Sequence, residues 1–209
     1  MSSSFARAYR PVVRTAVSVV ALAGLATVCP AQIGSGWSTD GASHSLQKVG
    51  DVFYSNSGGV ETFRLNTSAA ARCEIKVNNN YSSGSHQFEG YVRLTGTARS
   101  SGNAVQQILE STTGVGDVHQ VRFYSTSGGT LKVPQSGVTL ATGVAGVYQR
   151  INCIHYRGTG KIELWLNGSK KSTHSDVGSG TYYFKYGMYI AGSAGKPQAQ
   201  WKSIRVWKK

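Results

Sequence analysis

The sequence predicts an all-β protein, built either as a sandwich of two antiparallel sheets or as a jelly roll. Short runs of alternating apolar and polar residues recur along the chain, separated by breaks rich in Gly, Ser, Thr and Asn. The chain has 26 glycines, and no segment after residue 31 keeps a 3.6-residue apolar period. About ten short strands within one domain are typical of these two architectures.

The predicted strands lie between turn-forming residues. They cover residues 52–54, 61–65, 71–77, 86–94, 104–110, 118–124, 148–156, 161–166, 182–190 and 198–206. The pair Asn167-Gly168 predicts a tight hairpin, because both residues tolerate the positive φ of a type I′ turn. The turn at 157–160 predicts that the strands on its two sides are antiparallel neighbours.

Residues 1–31 are predicted to be a secretory signal peptide. Arg7, Arg10 and Arg14 form a basic segment, residues 15–28 are apolar, and Cys29 and Ala31 are small residues before a cleavage point. The apolar run is too short for a typical membrane span. A lipoprotein signal at Cys29 and an uncleaved anchor are the alternatives. Residues 32–209 then form a single domain, secreted to the extracellular space or the periplasm and expected to be monomeric.

The charge of the chain favours a polyanionic partner. The formal net charge is +13, and it is +10 without the leader, which carries three arginines and no acidic residue. An exported protein with this excess suits an acidic polysaccharide, nucleic acid or an anionic cell surface. The basic residues are spread singly along strands rather than in a tail, so nucleic acid is not the predicted partner. Solubility or wall adhesion is the simpler alternative.

Cysteines and histidines give little sign of a metal site. Cys73 and Cys153 could pair in an exported protein or remain buried thiols. No pair of histidines has metal-ligand spacing, so neither a metal nor another cofactor is predicted. His44 is the one histidine kept as a candidate catalytic group, because its Ser/Gly-rich surroundings could fold over a cleft. His86 and His174 flank turns and are expected to be solvated.

Alternation predicts that several strands have one polar and one apolar face. In 182–190 the apolar face has Tyr182, Phe184, Tyr186, Met188 and Ile190, and the other has Tyr183, Lys185, Gly187 and Tyr189. Arg72, Glu74 and Lys76 share a face of 71–77, and Gln87, Glu89, Tyr91 and Arg93 share a face of 86–94. One polar face is explained by solvent, but three such faces predict a binding groove. Glu74 would orient the cations beside it, and Gly187 would leave room for a close approach to the backbone.

Six segments, in this order, resemble strands of one protein family. They are R-C-E-I-K at 72–76, Q-F-E-G-Y at 87–91, Q-I-L at 107–109, R-I-N-C-I-H at 150–155, Y-F-K-Y-G-M-Y at 183–189 and W-K-S-I at 201–204. The set resembles the jelly-roll polysaccharide lyases of the alginate lyase type, with their glucuronan lyase and plant citrate-binding relatives. The resemblance covers residues 70–206, which is most of the predicted domain.

This resemblance implies a β-jelly roll of two curved sheets whose concave face binds a polyuronate, which is cleaved by β-elimination. Arg72 and Gln107 would bind and neutralise the substrate carboxylate, Tyr189 would be the catalytic acid/base, and Lys185 would line the next subsite. The polar residues assigned to substrate binding beside them are Glu74, Lys76, Gln87, Glu89, Tyr91, Arg93 and Tyr183. Leu109 replaces the His of the alginate lyases, a departure shared with the glucuronan lyase and citrate-binding relatives.

The chemistry works without that His. Elimination needs a neutralised carboxylate, a base for the C5 proton and an acid for the leaving O4. Arg72 has a permanent charge and a bidentate fork. A free tyrosine has a pKa of about 10, and nearby cations favour its phenolate. H5 and O4 are syn in glucuronate and mannuronate, so one tyrosine can serve both. Guluronate is anti and needs a second group, so polyglucuronate is the first predicted substrate and polymannuronate the second.

Two other functions were weighed. The replacement at Leu109 and the citrate-binding relatives allow a non-catalytic jelly roll that binds carbohydrate or an organic acid. A glycoside hydrolase needs two suitably placed carboxylates. The chain has nine acidic residues, and Glu74 and Glu89 both lie among basic ones, which favours structural ion pairs.

Overall fold

The structure is a computed structural model that describes residues 32–191 and 196–209, with the backbone alone for residues 190 and 191. The predicted leader, residues 1–31, lies outside the described residues, and so does the side chain of Ile190. The described part contains no helix that is both long and apolar enough to span a membrane. Its strands are β1 (Ser38–Thr39), β2 (His44–Val49), β3 (Val52–Ser57), β4 (Val60–Leu65), β5 (Ala70–Val77), β6 (Ser85–Thr95), β7 (Asn103–Glu110), β8 (Gly116–Tyr124), β9 (Thr130–Val133), β10 (Val138–Thr142), β11 (Gln149–Tyr156), β12 (Lys161–Leu166), β13 (Ser169–Ser175), β14 (Tyr182–Ala191) and β15 (Gln198–Lys208).

These strands form two antiparallel sheets. The first has eight strands in the order β13-β12-β11-β6-β15-β4-β3, with β1 also paired to β15. The second has seven strands in the order β10-β9-β8-β7-β14-β5-β2. The predicted all-β jelly-roll sandwich is confirmed.

Both predicted turns are present. Asn167 and Gly168 have φ values of 51° and 83°, as a type I′ turn requires, and they connect β12 to its antiparallel neighbour β13. Residues Arg157–Thr159 form a 3-10 turn between β11 and β12, which pair with each other. Local turn chemistry therefore sets the order of three neighbouring strands.

The observed strands β1, β2, β9, β10 and β13 are absent from the strands predicted from the sequence. Three of these, β2, β10 and β13, lie at sheet edges, where one side of the strand has no neighbour within the sheet. Strand β13 is S-K-K-S-T-H-S, and mostly exposed. Polar edge strands of this kind avoid pairing with other molecules, and they lack the apolar alternation that reveals a buried strand.

The core lies between the two sheets. Tyr182, Phe184, Tyr186 and Met188 are at most 1% exposed, which confirms the predicted inner face of β14. Tyr186 packs against Phe88 of β6 and Trp201 of β15, with ring centroids 5.6 Å and 5.7 Å away. Gly90 lets Trp201 lie directly on β6, because a Cβ there would be 2.9 Å from the indole ring.

The two cysteines of the described chain are free thiols, and both are buried. The Sγ of Cys73 lies 3.3 Å from the carbonyl oxygen of Phe53. Burial raises the pKa of the Cys73 thiol to about 11. Of the two alternatives left open by the sequence, the buried thiols are the one observed.

Candidate functional site

The candidate site is the outer face of the seven-stranded sheet, where β5, β14 and β7 lie side by side. We call this the polar face, and its residues are Arg72, Glu74, Lys76, Gln107, Leu109, Tyr183, Lys185 and Tyr189. Register explains how they meet. Tyr189 pairs with Arg72, Lys185 lies between Lys76 and Gln107, and Tyr183 pairs with Leu109. Because paired residues of a sheet point to the same side, residues far apart in sequence share one surface.

Glu74 is at the centre of the polar face and is 1% exposed. Its Oε2 lies 3.5 Å from the Nε of Arg72 and 3.6 Å from the Nζ of Lys185. Its Oε1 accepts a hydrogen bond from the side-chain amide of Gln107. The carboxylate therefore holds two cations and an amide, which is the arrangement expected of an orienting residue.

Gly187 faces Glu74 across the β14–β5 pair, and its role differs from the predicted one. A Cβ at this position would lie 2.5 Å from the carbonyl oxygen of Cys73 and 2.6 Å from the Cα of Glu74. The space beside Gly187 is thus filled by the backbone of β5 and is not open to a ligand. The φ of Gly187 is 141°, which L-residues rarely adopt.

Replacing Gly187 with Ala is expected to destabilise the protein by about 3 kcal/mol, because the added methyl must push two backbones apart. Gly41→Ala is the matched control, since nothing lies within 4 Å of its Cβ and its φ is ordinary. Urea unfolding of both variants measures the difference. Equal stability of the two variants would show that the backbone of β5 can move away from position 187 with little loss of stability.

The ionisable groups of the polar face are shifted by burial. Burial raises the pKa of Glu74 to about 7, although Lys185 and Arg72 oppose this shift. Burial also lowers the pKa of Lys185, with Glu74 opposing. Each charge of the pair therefore depends on its partner, and neither is a freely solvated ion.

The raised pKa of Glu74 makes stability depend on pH. Its ordinary pKa is 4.5, so the folded state binds the extra proton between about pH 4.5 and pH 7. This contribution is fully present below pH 4.5 and is lost as the pH rises through 7, by roughly 2–3 kcal/mol. Measured by urea unfolding, Glu74→Gln should therefore gain stability relative to wild type between pH 5 and pH 8. Taking the difference removes the shared histidine titrations. A pH-independent difference would contradict the shift.

Arg72 and Tyr189 form the accessible end of the polar face. The guanidinium carbon of Arg72 lies 5.1 Å from the ring centroid of Tyr189. The Arg72 side chain is 35% exposed, and Tyr189 is half-buried. Both line a cavity of about 160 Å³, together with Val49, Ala70 and Ala71. A permanent cation and a phenol ring thus border the same space.

Lysines occupy different positions on this face. Lys185 is only 3% exposed, so it acts on a ligand mainly through its charge rather than through direct contact. At the other end the Nζ of Lys76 lies 4.3 Å from the ring centroid of Tyr183, an attractive cation–π distance. Burial raises the pKa of Tyr183, which keeps this phenol protonated.

Strand β8 adds three polar residues that the sequence analysis did not assign to the site. Gln120 donates to the Oε1 of Gln107 at 3.3 Å and to Asp117 at 2.6 Å, and the Nε of Arg122 donates to Gln120 at 2.6 Å. Burial raises the pKa of Asp117. The alternation of Gln120 and Arg122 with buried Val121 and Phe123 was a usable signal for their shared face.

The prediction that Gln87, Glu89, Tyr91 and Arg93 line the same groove as Tyr189 is wrong. These residues lie on β6, which belongs to the eight-stranded sheet, and their neighbours are β11 and β15. Their local partners are structural. The Oε1 of Gln87 accepts from the backbone N–H of Ile33 at 2.8 Å, and Glu89 accepts from the Nε of Arg150 at 2.9 Å. Alternation predicts which face a residue takes, but not which sheet its strand joins.

The histidines lie away from the polar face. The Nδ1 of His44 is 3.3 Å from the hydroxyl of Tyr186, whose ring is on the inner face of β14, so His44 does not fold over the Tyr189 cavity. His86 is 8% exposed and stacks on Tyr81, and His174 stacks on buried His119, so the expectation of solvated rings is wrong. Among residues 32–191 and 196–209, no three His, Cys, Asp or Glu side chains could hold a metal ion together.

Comparison with known proteins gives one curated relative and many similar structures. The chain is 35% identical over 150 residues to a citrate-binding protein from Hevea brasiliensis, a match that covers 70% of this chain. It spans only 60% of the length of that relative. No protein-family model matches the chain.

The similar solved structures are alginate lyases. One is a polysaccharide lyase family 7 enzyme from Zobellia galactanivorans, with a TM-score of 0.62, 20% identity, and coverage of 77% of this chain and 82% of that one. Another is an alginate lyase from Pseudomonas aeruginosa, with a TM-score of 0.63, 14% identity, and coverage of 75% and 86%. A third is a family 7 alginate lyase in complex with substrate, with a TM-score of 0.60, 19% identity, and coverage of 75% and 81%.

Identities of 20% or less establish a common fold and no more. The resemblance seen in the strand motifs is nevertheless confirmed from two directions, one in structure and one in sequence. The chain has the jelly-roll fold of the family 7 alginate lyases and is related in sequence to a plant citrate-binding protein.

Proposed function

We propose that this protein is an exported polysaccharide lyase that cleaves an acidic polyuronate by β-elimination on the polar face. The observation that carries the proposal is the pairing of Arg72 with Tyr189 beside a common cavity. It supplies a permanent cation for the substrate carboxylate and a phenol for proton transfer. The excess of positive charge and the leader-like residues 1–31 fit an exported protein that meets a polyanion.

Four residues share the catalytic roles in the proposed reaction. Arg72 neutralises the carboxylate, which stabilises the charge that develops when the C5 proton leaves. The phenolic oxygen of Tyr189 takes this proton, the C4–O4 bond breaks as the C4–C5 double bond forms, and the same oxygen returns the proton to O4. Glu74 holds Arg72 in place, and Lys185 adds positive potential from below. No step needs a metal ion.

Gln107 has a smaller part than the resemblance alone implies. It is 1% exposed, and its amide already bonds with Glu74 and Gln120. Its burial leaves little of the amide accessible to a substrate carboxylate. We therefore assign Gln107 to holding Glu74 in place, and contact with the carboxylate to the more exposed Arg72.

Leu109 sets the expected substrate class. It is half-buried on the polar face opposite Tyr183, and its side chain offers no proton acceptor for an anti elimination. A syn elimination needs only Tyr189, so polyglucuronate should be cleaved fastest and polymannuronate second. The test incubates the purified protein with polyglucuronate, polymannuronate, polyguluronate and pectate and follows the ultraviolet absorbance of unsaturated ends. Faster cleavage of polyguluronate than of the syn substrates would contradict this assignment.

The second candidate function is a non-catalytic module that binds a carbohydrate or an organic acid. It is favoured by the 35% identity to a protein named for citrate binding and by the absence of a histidine at position 109. The same panel separates the two functions. Binding of a polyuronate or of citrate, with no rise in absorbance on any of the four polymers, would support the module and contradict the lyase.

A further inference from the structure

A second polar cavity lies where β5 ends, at the opposite end of that strand from Arg72. Its volume is about 370 Å³, and its lining includes Asp40, Lys76, Asn78, Asn79, His86 and Lys208. Lys76 and Arg72 are four residues apart on β5, which corresponds to about 13 Å along a strand. The cavity is therefore separate from the space between Arg72 and Tyr189. Its size is within the range of small-molecule sites.

Asn79 is the most informative residue of this cavity. It is 7% exposed, and within the described residues neither Oδ1 nor Nδ2 of its side chain has a hydrogen-bond partner. Its neighbour Asn78 is satisfied, since its Nδ2 donates to Ser43 at 3.0 Å and to Ser45 at 2.8 Å. Leaving a buried amide without a hydrogen-bond partner is unfavourable. A site that keeps one at a cavity wall is suited to a ligand that supplies both a donor and an acceptor.

His86 adds an acceptor to the same wall. Its ring stacks on Tyr81 with a centroid distance of 3.8 Å, which fixes the plane of the imidazole. Its Nε2 lies 3.1 Å from the carbonyl oxygen of Ser83, so Nε2 carries the proton. Burial lowers the pKa of His86, which makes the ring neutral at pH 7 and leaves Nδ1 as an acceptor. This Nδ1 is 3.8 Å from the carboxylate of Asp40. Within the described residues Nδ1 has no hydrogen-bond partner, so it can accept one hydrogen bond from a ligand hydroxyl.

The charged residues at the opening of this cavity favour the binding of an anion. Lys76 and Lys208 bring two positive charges against the single carboxylate of Asp40, which lies 3.8 Å from the Nζ of Lys208. The Lys208 side chain is 55% exposed, so its ammonium group can turn toward a ligand. The cavity thus combines ammonium donors for a carboxylate with an amide and acceptors for hydroxyls.

We propose that this cavity is a second ligand site for a small hydroxylated carboxylate, of the size of a single uronic acid. The carboxylate pairs with Lys76 and Lys208, while hydroxyl groups bond with the amide of Asn79 and with Nδ1 of His86. Lys76 also belongs to the polar face, but Arg72 and Tyr189 take no part in this cavity, so ligand binding here does not require the lyase reaction. It therefore stands or falls separately from the proposed function.

Isothermal titration calorimetry with sodium glucuronate tests the proposal. Glucose, which has the hydroxyls alone, and acetate, which has the carboxylate alone, are the matched probes. Wild type should bind glucuronate at least tenfold more tightly than either probe. Asn79→Leu should weaken glucuronate binding at least tenfold, and Arg72→Ala, which removes the carboxylate partner of the polar face, should leave the Asn79-dependent binding unchanged. Lys208→Met, at an exposed position, should reduce the preference for glucuronate over glucose even if Asn79→Leu folds poorly.

Thermal unfolding separates a ligand-binding Asn79 from an Asn79 that stabilises the fold. The two roles predict opposite changes in the melting temperature when the residue is replaced. Since its amide has no partner in the described chain, Asn79→Leu should keep or raise the melting temperature without ligand. Added glucuronate should raise the melting temperature of wild type but not of the variant. Equal glucuronate binding by wild type and Asn79→Leu would overturn the proposal, as would tight binding of acetate or no binding of glucuronate.

Discussion

Tyr189→Phe is expected to lower the rate of polyuronate cleavage by about 10²–10⁴-fold, the usual contribution of one acid–base group. The change removes the hydroxyl and keeps the ring, so the contact with Arg72 is retained and the fold should be unaffected. Substrate affinity should change little, because Arg72 still meets the carboxylate. The measurement is the initial rate of unsaturated-end formation on polyglucuronate, with binding followed separately.

The control for this variant is Tyr156→Phe. Tyr156 is also half-buried and also has a cation near its ring, with the Nζ of Lys161 at 5.3 Å, but it lies on β11 of the other sheet. Its loss of a hydroxyl should leave the rate within a factor of two. A Tyr189→Phe protein that cleaves as fast as this control would remove Tyr189 from the chemistry.

At pH 8, where Glu74 is ionised, Glu74→Ala is expected to have the largest effect on stability and to lower the free energy of unfolding by about 3–5 kcal/mol. It leaves Lys185 buried without its carboxylate, and an unpaired buried charge is strongly destabilising. The double variant Glu74→Leu, Lys185→Met should recover most of this loss, because a buried ion pair replaced by apolar groups of similar size is often neutral. Urea unfolding of the two variants and wild type measures both changes.

Glu163→Ala is the matched control for this ion pair. Glu163 is also buried, but its partners Lys161 and Lys170 have side chains that are 45% and 49% exposed. These lysines can return to water, so the change should be about 0–1 kcal/mol. Two outcomes would contradict this explanation: a Glu74→Ala protein no less stable than the control, or a double variant as unstable as the single one. Either would show that an unpaired buried charge on Lys185 does not determine the stability.

The sequence predicted the fold class and the faces of β14 because both depend on local rules. The two-residue period of a strand places Tyr186 and Lys185 on opposite faces, whatever lies on either side of the strand. The assembly of strands is different. Strand β6 has the same alternation as β5, yet it pairs with β11 and β15, since strand order follows from long-range packing. Gly187 is a further case, because its closeness to Glu74 appears only once the register is known.

The polar face joins residues 72, 107 and 189, which come together only when β5, β7 and β14 have paired. Pairings between such distant segments are typically late and slow events in folding. Catalytic competence should consequently appear in the last phase of refolding and not before it. Under the proposed function the seven-stranded sheet must close before any polymer is cleaved, so the topology couples activity to complete folding.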